Sequence, residues 1–142
     1  MTQFNNSASH CLFVGNRNLD EVIANDTQEL QTINGSFEEI AFKMQTLADY
    51  ALNQRRFPAE YDDKVSVLSF VTFRGMQECP FDTKCRINGY MGWNEEVRIK
   101  SKVNGRELTI NSGTAHLARV HHLLEKDNQY GISAREFYEA FM

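Results

Sequence analysis

A chain of 142 residues that is 42% hydrophobic, with ten phenylalanines, is long enough to bury one ordinary core and short for two. Its formal net charge of -4, from 19 acidic and 15 basic side chains, argues against broad non-specific binding to nucleic acid, which needs a clustered basic face. No stretch approaches the roughly 20 apolar residues of a membrane span. The polar start from Met1 to Ser7 has no signal-peptide pattern, so a cytoplasmic protein without membrane contact is expected.

Residues 1–18 are rich in Asn, Ser and Gln and read as a loosely ordered N-terminal segment, in which Cys11-Leu12-Phe13-Val14 can add one short strand. Residues 19–142 read as a single α+β domain. From Leu19, a broken helical pattern (Val22, Ile23, Leu30, Ile33) stops at Asn34-Gly35, a pair suited to the left-handed end of a helix. Ser36 and Glu39 form a capping-box pattern opening an amphipathic helix over 36–54, whose stripe of Phe37, Ile40, Ala41, Met44, Leu47, Ala48, Ala51 and Leu52 predicts a core face. Phe57-Pro58 breaks that pattern. Residues 64–74, dense in β-branched and aromatic side chains, predict a buried strand.

The segment Gly89-Tyr90-Met91-Gly92-Trp93 reads as irregular or briefly extended, and it lacks the lysine and strand-to-helix setting of a phosphate loop. A hairpin is predicted over 96–111, turning at Asn104-Gly105. Val97, Ile99, Ser101 and Val103 face one way, and Arg98, Lys100 and Lys102 the other. Ser112 or Thr114 can cap a helix over 114–126. Ser133 and Glu136 then open a terminal helix over 134–142. The predicted architecture is thus a small antiparallel sheet packed with the 36–54 helix and two C-terminal helices.

Three cysteines, Cys11, Cys79 and Cys85, are an odd number without a disulfide framework. Cys79 and Cys85 flank a turn stiffened by Pro80, and His116, His121 and His122 follow on one predicted helix. Two thiolates and two imidazoles are the donors that zinc prefers, so Cys79, Cys85, His116 and His121 are the expected metal ligands. With Leu117 at zero and about 100° per residue, Val120 and Leu124 centre the apolar arc near 320°. His121 then falls on one shoulder, His116 on the other, and His122 points to solvent. One metal reaches both His116 and His121 only where the helix bends or ends. The order of cysteines, strands and then helical histidines resembles a Cys2His2 finger over residues 79–122, which implies a zinc-held substructure. The separation of the two pairs is about twice that of such a finger, so no DNA-reading role follows.

The expected function is a small binding or regulatory module, stabilised by a structural zinc ion. The alternative is a small enzyme, in which Cys79 is a nucleophile, His121 its base and Glu125 the orienting group or a metal ligand. A further alternative is a basic-aromatic face made by Arg98, Lys100, Lys102 and Arg106 with Trp93, for nucleic acid or an acidic protein. A protein partner or homodimer fits the binding reading.

Overall fold

The computed structural model describes residues 19–82, 84–87, 89–90, 92–124 and 131–142. The element order is α1 (Leu19–Ile33), α2 (Phe37–Leu52), β1 (Ala59–Glu60), β2 (Val65–Gln77), β3 (Trp93–Ser101), β4 (Glu107–Ile110), α3 (Ser112–His121) and α4 (Ala134–Phe141). The four strands form an antiparallel sheet in the order β1-β2-β3-β4. This is the α+β architecture expected from the sequence. The N-terminal strand suggested at Cys11–Val14 lies outside the described residues.

The register shows why the alternating pattern folds as it does. Val67 pairs with Ile99, Ile99 with Leu108, and Val97 with Ile110, so successive apolar positions fall on one face. That face joins the α2 stripe, Ala115 and Ala118 of α3, and Phe137 and Phe141 of α4 in one buried core. A bulge at Leu68, between the Val67–Ile99 and Ser69–Arg98 pairs, keeps the face pattern as β2 twists away.

Three expectations change. The strand predicted over 64–74 is buried only from Val65 to Val67. It runs on to Gln77 with every residue from Val71 exposed, because β1 covers only its Ser66 and Val67 positions. The hairpin starts three residues earlier than expected, at Trp93, and Val103 lies exposed in its turn rather than on the inner face. The helix predicted over 114–126 is instead Ser112–His121.

Capping explains that last shift. Asn111, rather than Ser112 or Thr114, is the N-cap: its Oδ1 accepts from the Thr114 N–H at 2.8 Å, and Thr114 Oγ1 accepts from the Asn111 N–H at 2.9 Å. At the other end His122 takes a left-handed conformation (φ 56), and the His122 and Leu123 N–H groups both turn back to the Leu117 carbonyl. Ser36 does cap α2, accepting from the Glu39 N–H at 3.1 Å. The reciprocal half of that box is filled by Tyr138, whose hydroxyl accepts the Ser36 N–H at 2.9 Å.

α3 is seated tightly at its start. A Cβ on Gly113 would come within 2.4 Å of the Trp93 indole, so the helix approaches β3 only because position 113 has no side chain. Gly113→Ala is expected to cost about 2 kcal/mol through this clash, read as a lowered urea midpoint. Adding Trp93→Leu should recover part of the loss, whereas an effect untouched by that second change would place its cause elsewhere.

Candidate metal centre

The long connection between β2 and β3 leaves and re-enters the sheet at the Gln77–Trp93 pair. A Cβ on Gly92 would lie 2.0 Å from the Gln77 carbonyl oxygen, so a glycine is needed where the two ends meet. Within this connection the Cys85 N–H donates to the Asp82 carbonyl at 3.0 Å, and Asp82 Oδ1 accepts from the Lys84 N–H at 2.9 Å. This Asx-supported turn folds the chain between the cysteines back on itself. Ile87 and Tyr90 form a further bridge, and Ile87 is fully buried.

The turn brings both thiols to the end of α3. Cys79, Cys85, His116 and His121 each present one ligand atom, and all four atoms lie within 4.8 Å of one another. The four residues lie close enough to hold a metal ion. Cys79 Sγ is 3.3 Å from His121 Nε2, and Cys85 Sγ is 4.0 Å from the same nitrogen. Tetrahedral zinc, with bonds of about 2.3 Å to sulfur and 2.0–2.1 Å to nitrogen, sets an S···N edge of about 3.6 Å. The two measured distances bracket that edge.

The geometric obstacle visible in the sequence is resolved by where α3 stops. His116 and His121 straddle the helix, but His121 is its last residue. Their rings meet edge to face with centroids 5.2 Å apart. The left-handed turn at His122 ends the helix there and sends the His122 ring away to stack on Phe37 at 4.8 Å. Phe81, in the turn between the cysteines, stacks on His121 at 4.2 Å and sets its ring plane. Sequence reasoning missed Phe81, although an aromatic residue in an otherwise polar turn was the available signal. Val22, Leu117 and Leu123, with Phe81 against them, make a small second core beneath the cluster.

Burial dominates the electrostatics of the cluster. Burial, with His121 and Arg119 adding, lowers the His116 pKa to about 4. Burial also lowers that of His121, partly offset by the Asp82 carboxylate. Burial and the neighbouring Cys79 push the Cys85 thiol up to about 11. A bound dication reverses this balance, favouring thiolates and neutral imidazoles. His116 is only 4% exposed, yet neither ring nitrogen has a hydrogen-bond partner among the described residues. Buried polar atoms are nearly always paired, and an orphaned imidazole beside three other donor atoms suits a metal ion, which would take one of its two nitrogens.

A pH dependence follows for metal-free protein. Between about pH 6.5 and 4 the unfolded chain protonates this imidazole and the folded chain does not, so stability falls with acidification through that window. The effect is on the order of 3 kcal/mol. Urea midpoints at pH 7 and pH 4.5 in the presence of chelator measure it; a His116→Leu variant with an undiminished slope would assign the effect to other groups.

The other sequence candidates are dispersed or paired. Glu125 lies outside the described residues. Arg98 pairs with Glu107, Lys102 with Glu60, and Arg106 with Glu136 at 2.9 Å. Lys100 is exposed on the outer face of β3, and Trp93 is half-buried against Gly113. Comparison with known protein families, curated proteins and solved structures finds no match to this chain. Among the described residues no helix is long and apolar enough to cross a membrane.

Proposed function

We propose that this protein is a small binding or regulatory module whose β2–β3 connection is pinned to the end of α3 by a structural zinc ion, held by Cys79, Cys85, His116 and His121. The observation that carries this reading is His116: a buried imidazole whose nitrogens have no partner among the described residues, close to two thiols and a second imidazole. Two sulfur and two nitrogen donors suit zinc over the harder cations. Four protein ligands close its coordination, which favours a structural over a catalytic role. Elemental analysis of untagged protein should give close to one equivalent of zinc. Less than about a tenth of an equivalent, with no uptake on titration, rejects the reading.

One distance favours a second reading. Cys79 Sγ lies 3.3 Å from His121 Nε2, which is the reach of a nucleophile and its base. Against it, Cys79 is 1% exposed, and burial disfavours the charged imidazolium of the ion pair that would activate the thiol. Alkylation of native, metal-free protein separates the two. Slow labelling of Cys79 supports the structural role, and fast, selective labelling at neutral pH supports the thiol enzyme.

A further inference from the structure

Of the eight large apolar side chains most exposed among the described residues, four gather on one surface: Phe42 (75%), Leu52 (64%), Tyr90 (66%) and Met76 (53%). They border two cavities of 280 and 380 Å³ that adjoin through Ile87 and Ser112, which line both. Together the cavities form one groove along a flank of α2, from Glu38 to Leu52. That span is about 20 Å at 1.5 Å per helical residue. The opposite wall is made by Ile87, Tyr90 and the stretch from Gly92 to Glu95, and His116 lines one end.

The charges around this groove are unequal. Glu38, Asp49 and Glu95 line it, against Arg119 as the cation. Among the described residues none of these carboxylates is in an ion pair with a Lys or Arg, whereas other surface carboxylates of this chain, Asp62, Glu107 and Glu136, are. The Glu95 carboxylate accepts the Ser112 N–H and the Asp49 carboxylate accepts from Gln45, so both are held in place at the rim. An apolar floor flanked by fixed, cation-free carboxylates complements an apolar stripe flanked by lysine or arginine.

We infer that the groove between α2 and the wall of Ile87, Tyr90 and residues 92–95 is a docking surface for a basic amphipathic helix of a partner protein. The partner's apolar side chains fill the two cavities, and its cations meet Glu38, Asp49 and Glu95. A helix suits the dimensions. Phe42 and Leu52 are ten positions apart on α2, about 15 Å, a distance that apolar residues two to three turns apart on a partner helix also span. The groove's apolar lining and its rim charges carry this inference, and no metal–ligand bond enters it.

The test uses the full chain and two labelled helical peptides of about 16 residues that share one leucine stripe at i, i+3, i+7 spacing. One carries lysine at its polar positions and the other glutamate. By fluorescence anisotropy at low salt, the lysine peptide should bind at least about tenfold tighter than the glutamate peptide. The Glu38→Lys/Asp49→Lys double variant should abolish or invert that preference. Glu139→Lys, on α4 outside the groove, should leave it unchanged. Phe42→Ser, at a position too exposed to matter for folding, should weaken lysine-peptide binding by about tenfold. Equal binding of both peptides, binding of neither, or a preference indifferent to the double variant overturns the proposal. A dimer in sedimentation that dissociates on Phe42→Ser also overturns it, by identifying a second copy as the occupant.

Discussion

Stripping zinc from the protein is expected to lower its melting temperature by roughly 10 °C or more. A ligand at about a thousand times its dissociation constant stabilises the folded state by about 4 kcal/mol. Each kcal/mol moves the melting point of a domain of this size by about 3 °C. The loss should be local before it is global. Among the described residues, the backbone hydrogen bonds within the connection from Glu78 to Gly92 are those of the Asp82 turn and the Ile87–Tyr90 bridge. The α2 stripe and the strand pairs behind it do not depend on the cluster. Hydrogen exchange after chelation should therefore speed up across 78–92 and at the end of α3 while β3 and α2 stay protected. Identical melting curves with and without chelator, from protein shown to hold zinc, would make the ion incidental.

What the sequence could reveal follows from which signals are local. The α2 stripe, the caps at Ser36 and Ser133 and the alternation around Val97 and Ile99 are set by neighbours a few residues apart, and each appears in the structure where its pattern lies, except that Leu52, the last residue of the stripe, is exposed at the helix end where the core no longer covers it. The burial of β2 was misjudged because its composition is uniform from Val65 to Phe73, whereas its cover is not. The short β1 and the core stop after Val67, and no pattern inside β2 records that. The end of α3 was misplaced because His122 carries no side-chain signal as strong as a glycine. Histidine tolerates the left-handed region, but it is only one of several residues that do.

The cluster itself was legible as a donor set and illegible as a geometry. Its convergence depends on three things settled at long range: the left-handed stop at His122, the Asp82 turn and the Phe81 ring against His121. The groove was invisible in sequence because its two walls lie 35 or more positions apart, from Leu52 to Ile87 at the nearest, and because exposed apolar side chains on α2 look like ordinary surface scatter until the cavities place them together. The same connection serves both features. Cys85 and Ile87 are two residues apart, so whatever holds the thiol also holds the groove floor. If both proposals hold, metal loading and partner binding act on one short stretch of chain, and each is expected to tighten the other by the same factor.

His116→Leu is expected to change sign with the metal. In metal-free protein the native imidazole is a liability: two buried nitrogens lack partners among the described residues, and replacing the ring with an apolar side chain of similar volume removes a desolvation cost of about 1–3 kcal/mol. In chelator, the variant should therefore melt several degrees above the native protein. With zinc present the order should invert. The variant keeps only Cys79, Cys85 and His121, and losing one of four ligands weakens the metal by at least about 100-fold, more than the apolar packing returns. A pair of melting curves for each protein, with zinc and with chelator, shows the crossing. A metal-independent site predicts something different, a parallel upward shift of both curves, because the benefit of removing the orphaned nitrogens would then be the whole effect. A parallel downward shift would mean that the imidazole is satisfied in solution by partners other than a metal. Only the crossing identifies His116 as a residue whose burial makes sense with an ion beside it.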